Sequence, residues 1–177
     1  ETRVGVMGLG NLGAHTAQML RGLGFQVAGW SRTAKTLPGV ECFAGADQRD
    51  AFLARTDILV CLLPDTPETR GALCADTLGR LPLGAGVVNA GRGGHCVVPD
   101  VIAALDSGHL TGAVLDVFET EPLPSEHPAW SHPGIIVTPH LASLASRPAR
   151  ARYVAEAIAA FERGETPPNL YDVARGY

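Results

Sequence analysis

The apolar positions of the chain fall into short runs separated by stretches with helical spacing. Val4 to Met7 is apolar and ends at Gly8-Leu9-Gly10-Asn11-Leu12-Gly13. Leu12, Thr16, Met19 and Leu23 then recur at helical intervals, and Gly24 stops the predicted helix. Gln26 to Trp30 predicts a second strand. Strand, Gly-rich turn, helix and strand within about thirty residues make a βαβ unit. The alternation continues with a short helix over Ala46 to Arg55 and an unbroken apolar run from Ile58 to Leu63, which Pro64 ends. Such a run suits a parallel strand covered on both faces. Further helices are predicted over Glu68 to Leu81, Pro99 to Asp106 and Ala149 to Arg163. Gly86 to Asn89, Ala113 to Val117 and Ile135 to Thr138 predict strands. In the last helix Tyr153, Ala157 and Ala160 share one face, with Val154, Ile158 and Phe161 beside it. Repeated βα units imply an α/β fold of the Rossmann type: a doubly wound parallel sheet in three layers with right-handed crossovers. Ligands of such sheets bind where strands end, so the informative residues should follow strands directly.

Composition narrows the partners. With 177 residues, 46% hydrophobic and 18% charged, the chain has ample material for one packed core. A net charge of −4 gives no reason to expect nucleic acid or an anionic membrane. The apolar runs are too short to span a bilayer. Cys42, Cys61, Cys74 and Cys96 form neither a C-x-x-C pair nor a zinc-finger spacing, so no metal is expected. They read as reduced thiols of a cytoplasmic protein.

The Gly-rich turn carries the first candidate chemistry. Gly-x-Gly-x-x-Gly is weak alone, but here it follows a strand and opens a helix. Gly8 permits the turn, Gly10 lets a pyrophosphate approach the backbone, and Gly13 lets the helix pack on the strand. Asn11 and Leu12, inside the turn, join them as cofactor-binding positions. The helix N-terminus offers N–H groups and a positive dipole end to phosphates. An NAD site usually places Asp or Glu at the end of the second strand. This chain has Trp30-Ser31-Arg32-Thr33-Ala34-Lys35 there, without an acid. Arg32 can pair with a 2′-phosphate, Ser31 and Thr33 can add hydroxyl donors, and Lys35 adds charge. NADP is therefore expected over NAD.

Three later strand ends are also polar. Asn89-Ala90-Gly91-Arg92-Gly93, Leu115-Asp116-Val117-Phe118-Glu119-Thr120-Glu121-Pro122 and Val137-Thr138-Pro139-His140 follow successive strands. Reducing a 2-keto acid needs a cation for the carboxylate, a polarised carbonyl and a proton for the oxygen. Arg92 offers a forked guanidinium. His140 is a suitable proton donor, and Glu121 can pair with its imidazole and fix the tautomer.

The ordered set G-L-G-N-L-G, L-L-P-D-T-P-E-T, N-A-G-R-G, L-D-V-F-E-T-E-P-L-P and T-P-H resembles the D-isomer-specific 2-hydroxyacid dehydrogenase family over nearly the whole chain. The resemblance implies that Arg92 orients substrate, that His140 is the acid/base lying beside the cofactor, and that Glu121 is its partner. It implies that Asp116 faces the nicotinamide end, that Leu63, Pro64 and Thr66 line the cofactor, and that Ala90 and Gly91 adjoin it. W-S-R-T, A-S-R-P and the ending D-V-A-R-G-Y look like the branch that reduces glyoxylate and hydroxypyruvate with NADPH. That likeness makes Arg147 a candidate second contact for the substrate carboxylate. A reductase of a larger 2-keto acid and a nucleotide-sensing module are the alternatives. The family also implies a homodimer, with Val97 to Ala129 as an exchange arm. Family members begin with a substrate domain of about a hundred residues, whereas this chain begins at the first strand of the nucleotide domain. Residues 1–145 are expected to bind NADP, and residues 146–177 to return toward the substrate domain.

Overall fold

A computed structural model describes residues 2–173. The last four residues of the D-V-A-R-G-Y ending lie outside the described residues. Seven strands form one parallel sheet: β1 (Arg3–Met7), β2 (Gln26–Ser31), β3 (Glu41–Ala44), β4 (Ile58–Cys61), β5 (Ala85–Asn89), β6 (Leu110–Leu115) and β7 (Ile135–Val137). Among the described residues five α-helices accompany them: α1 (Asn11–Gly22), α2 (Arg49–Ala54), α3 (Ala75–Gly79), α4 (Val98–Asp106) and α5 (Arg147–Glu162). The strand order is β3-β2-β1-β4-β5-β6-β7, so the winding reverses between β1 and β4. Successive strand residues point to opposite faces. Val6 and Val27 join one apolar cluster with Ala17 and Leu20 of α1. Their neighbours Met7 and Ala28 join another with Phe52, Leu53, Leu78 and Val101 of α2, α3 and α4. Helices therefore cover both faces of the sheet.

Three sequence expectations need correction. The predicted apolar face of α1 is turned outward: Leu12, Met19 and Leu23 are exposed, while Gly13 and Ala17 are buried. The reason is close approach. A Cβ on Gly13 would stand 1.7 Å from the Gly8 carbonyl oxygen, so only the smallest side chains fit against β1. The helix expected over Glu68 to Leu81 is instead a 3-10 turn (Pro67–Thr69), an extended link and the short α3. Gly71 breaks it by adopting φ +64°, and Gly71 and Leu73 donate to the carbonyls of Gly94 and His95. The short edge strand β3 was not foreseen, because Glu41-Cys42-Phe43-Ala44 is only four residues long and partly exposed.

The chain falls into two compact units, one ending at His140 and one beginning at Leu141. Within the second unit, Ser146 caps α5 by accepting from the Ala149 N–H at 3.3 Å, and Pro148 occupies its first turn. Tyr153 donates its hydroxyl to the Pro168 carbonyl at 3.0 Å and accepts from Asn169 at 2.8 Å, pinning the tail to the helix. Tyr153, Val154, Ile158 and Phe161 are all exposed. No helix among the described residues is long and apolar enough to cross a membrane.

Candidate active site

One row of paired residues crosses the sheet: Trp30, Met7, Cys61, Asn89, Leu115 and Val137. It marks the C-terminal end of six parallel strands. The residues that follow it are Ser31, Gly8, Leu62, Ala90, Asp116 and Thr138. The parallel register therefore brings loops far apart in sequence to one edge of the sheet.

The Gly8–Gly13 turn has the form of a phosphate cradle. Gly8 sits at φ +104°, and a Cβ there would meet the Leu62 carbonyl at 2.6 Å. Gly10 caps α1 and has no side chain to cover its first N–H groups, and no atom lies within 4 Å of where a Cβ would stand. No acidic side chain occupies the first turn. An anion can thus approach these N–H groups and the positive end of the helix dipole. Beside the turn, Ser31 is buried and donates its hydroxyl to the Thr33 carbonyl at 2.8 Å, which shapes the 31–35 loop. Arg32, Thr33 and Lys35 are exposed. The Arg32 charge also helps hold the Glu68 carboxyl below its ordinary value, behind hydrogen bonds from the Glu68 backbone and Thr66.

Across the switch point, the loop after β4 carries Leu63, Pro64 and Thr66. Thr66 is buried and caps the 3-10 turn with Thr69, whose hydroxyl donates to the Pro64 carbonyl at 2.7 Å. The Arg92 loop is held by Asn89, which is fully buried. Its side chain accepts from the Gly91 N–H at 3.3 Å and donates to the Arg92 carbonyl at 3.1 Å. Arg92 itself is exposed, with one N–H on the Gly91 carbonyl at 2.7 Å. Gly93 packs so tightly that a Cβ would stand 1.9 Å from the Phe118 carbonyl carbon. That contact joins the Arg92 loop to the Glu121 loop.

Glu121 and His140 meet directly. One Glu121 carboxylate oxygen lies 2.8 Å from His140 Nδ1, and the other accepts the Phe118 N–H at 2.9 Å. The His140 hydrogen bond holds the Glu121 carboxyl below its ordinary value, and the Phe118 N–H adds to this. An ionised carboxylate can only accept, so Nδ1 carries the proton and Nε2 is the outward atom. His140 sits at φ +50°, an uncommon conformation for a residue with a side chain. Its N–H donates to the Asp116 carbonyl at 2.9 Å, while the Asp116 N–H donates to the Asn89 carbonyl at 3.0 Å. The Asp116 side chain is buried and accepts from the Thr138 hydroxyl at 2.5 Å. One backbone relay thus connects the ends of β5, β6 and β7.

The structure brings Gly8, Gly10, Asn11, Leu12, Gly13, Ser31, Arg32, Thr33, Lys35, Leu63, Pro64, Thr66, Ala90, Gly91, Arg92, Asp116, Glu121 and His140 to this edge. Arg147 opens α5 in the second unit and is exposed. Sequence reasoning passed over Asn89, Thr138 and His95. His95 is fully buried three residues after Arg92, and a polar ring so close to a candidate arginine was the available signal. Cys61 and Cys96 are not candidates, since burial pushes their thiols up to about 11 and about 12. No group of three potential metal ligands occurs among the described residues.

A parallel sheet with this switch point and a Gly-rich turn shaped as a phosphate cradle has the form of a dinucleotide-binding domain, and a carboxylate–imidazole pair stands at the same C-terminal edge. Residues 1–142 match the model of the D-isomer specific 2-hydroxyacid dehydrogenase NAD binding domain, and the chain belongs to that family. It is 48% identical to glyoxylate/hydroxypyruvate reductase A of Salmonella paratyphi B, a match covering 100% of this chain and 57% of that protein. It is similar to a D-isomer specific 2-hydroxyacid dehydrogenase from Xanthobacter autotrophicus, solved with NADPH and MES (49% identity, TM-score 0.95, 99% of this chain and 73% of that one). The NADPH-dependent glyoxylate/hydroxypyruvate reductase of Sinorhizobium meliloti, solved with NADP and sulfate, is similar too (44% identity, TM-score 0.95, 99% of this chain and 57% of that one). The chain spans a little over half the length of the Salmonella and Sinorhizobium proteins.

Proposed function

We propose that this chain is the NADPH-binding part of a reductase that converts small 2-keto acids, glyoxylate and hydroxypyruvate foremost, into glycolate and D-glycerate. The Glu121–His140 pair at 2.8 Å, beside the strand end that carries Arg92, is the observation that supports it best. Arg92 holds the substrate carboxylate and carbonyl oxygen through its fork of N–H donors. Glu121 keeps the proton of His140 on Nδ1 in the resting form, so that Nε2 faces the substrate. In the reductive direction the imidazolium gives its Nε2 proton to the keto oxygen, and Glu121 steadies the positive ring that precedes this step. The dinucleotide, when bound, supplies the hydride that reduces the keto carbon. Gly8, Gly10 and Gly13, with Asn11 and Leu12, seat its pyrophosphate on the N–H groups of α1. Arg32 pairs with the 2′-phosphate, and Thr33, Lys35 and Ser31 shape and charge that corner. Leu63, Pro64, Thr66, Ala90, Gly91 and Asp116 border the cofactor along the strand ends. The enzyme works as a cytoplasmic homodimer.

Calorimetric titration of this chain with NADPH and NADH, alongside Arg32→Ala, tests the cofactor half of the proposal. NADPH is expected to bind at least tenfold more tightly than NADH, and the preference is expected to collapse in the variant. Equal binding of the two cofactors by the unaltered chain would overturn the assignment of NADP.

A further inference from the structure

The histidine that the proposed chemistry leaves unused sits between its two halves. His95 is fully buried, and both ring nitrogens are engaged. Nδ1 lies 3.0 Å from the Arg92 backbone nitrogen, and Nε2 lies 3.0 Å from the Pro64 carbonyl oxygen. An amide N–H can only donate and a carbonyl can only accept. The ring is therefore the neutral tautomer with its proton on Nε2, accepting from Arg92 and donating to Pro64.

Three neighbouring features make this a built joint. Gly91 has no Cβ where one would stand 2.7 Å from His95 Nδ1, so only glycine admits the ring there. The Pro64 carbonyl also takes the Thr69 hydroxyl at 2.7 Å, which locks the far side. The backbone on either side of the ring is paired as well, with Gly71 and Leu73 donating to Gly94 and His95, and Val97 donating to Leu73.

We propose that His95 is a positioning residue: it ties the loop bearing Arg92 to the cofactor-lining loop at Pro64, so that the substrate-binding guanidinium and the cofactor wall hold one fixed spacing. This rests on the functional reading above, in which the two loops serve substrate and dinucleotide. His95 touches neither ligand and acts through Arg92 and Pro64.

The two bonds can be separated by substitution. In His95→Asn the side-chain oxygen stands near the place of Nδ1, keeping the acceptor for Arg92 and losing the reach to Pro64. In His95→Gln the amide nitrogen stands near the place of Nε2, keeping the donor to Pro64 and losing the Arg92 bond. His95→Asn is expected to weaken NADPH binding about fivefold and to leave the Arg92 amide protected from hydrogen exchange. His95→Gln is expected to expose the Arg92 amide about fivefold more and to hold NADPH affinity within twofold. If both variants lower thermal stability alike, with no split between NADPH affinity and Arg92 exchange, the residue is only part of the core and the proposal falls. A nitrogen-detected spectrum of the unaltered chain gives a test that needs no variant to fold. A proton on Nε2 and none on Nδ1 is expected, and a protonated Nδ1 overturns the joint. Failure of the unaltered chain to bind NADPH would count instead against the functional reading, because the tautomer and the Arg92 amide are read without ligand.

Discussion

Gly10 and Gly13 lie in one turn and are glycine for different reasons. A side chain at 13 has no room, since its Cβ would overlap the Gly8 carbonyl at 1.7 Å. A side chain at 10 meets nothing within 4 Å, so it would occupy open space, where the proposed function seats a pyrophosphate. Gly13→Ala is therefore expected to cost about 3 kcal/mol of stability, read from urea unfolding. Gly10→Ala is expected to unfold within about 1 kcal/mol of the unaltered chain and yet lose NADPH binding at least tenfold in calorimetry. If Gly10→Ala binds normally, the turn does not hold a pyrophosphate. The Glu121 carboxyl has a pH signature. Its folded value lies below the ordinary 4.5 because His140 donates to the ionised form. The contribution of the pair is thus fully present above pH 4.5 and is lost as the pH falls through the lower, folded value. Carbon-detected titration of the Glu121 carboxyl should show this depression, and His140→Ala should return it toward 4.5.

At the scale of elements, the strands that run through the core were legible because burial on both faces demands unbroken apolar runs. β4 is such a run, and β1, β2 and β5 each contain an apolar stretch interrupted only by glycine. What misled was spacing without contact. Leu12, Met19 and Leu23 repeat as a buried helix face would, but the helix presses Gly13 and Ala17 on the sheet instead. Between 68 and 81 the residues favour helix locally, and the pairing of Gly71 and Leu73 with the Gly94–His95 segment outweighs that preference. Gly71 gives a clean measure of this. Only Val97 comes near its absent Cβ, at 3.7 Å, so Gly71→Ala meets the φ +64° penalty without a clash. The expected loss is about 1–2 kcal/mol in urea unfolding. A neutral outcome would mean that this link is not held in the left-handed conformation.

Over the whole molecule, burial sorts the cysteines by reactivity. Cys61, buried and raised to about 11, should resist iodoacetamide at pH 8 in the folded chain, while the partly exposed Cys42 and Cys74 are modified first. Mass spectrometry after brief labelling reads the order, and early modification of Cys61 would contradict the packing of β4. The candidate site was legible because its residue types sit at strand ends, and a parallel sheet collects strand ends at one edge. The β/α alternation, the Gly-rich turn and the basic loop after the second strand were determined by the sequence alone, since each depends on local pattern, and the resemblance of the ordered motif set singled out Arg92, Glu121 and His140. The tertiary structure put the expected Glu121–His140 pair at 2.8 Å, and it alone decided that Asn89 holds the Arg92 loop and that His95 bridges Arg92 and Pro64. Those contacts join segments that are consecutive in space through strand register, and no local pattern records which buried donor will find which acceptor.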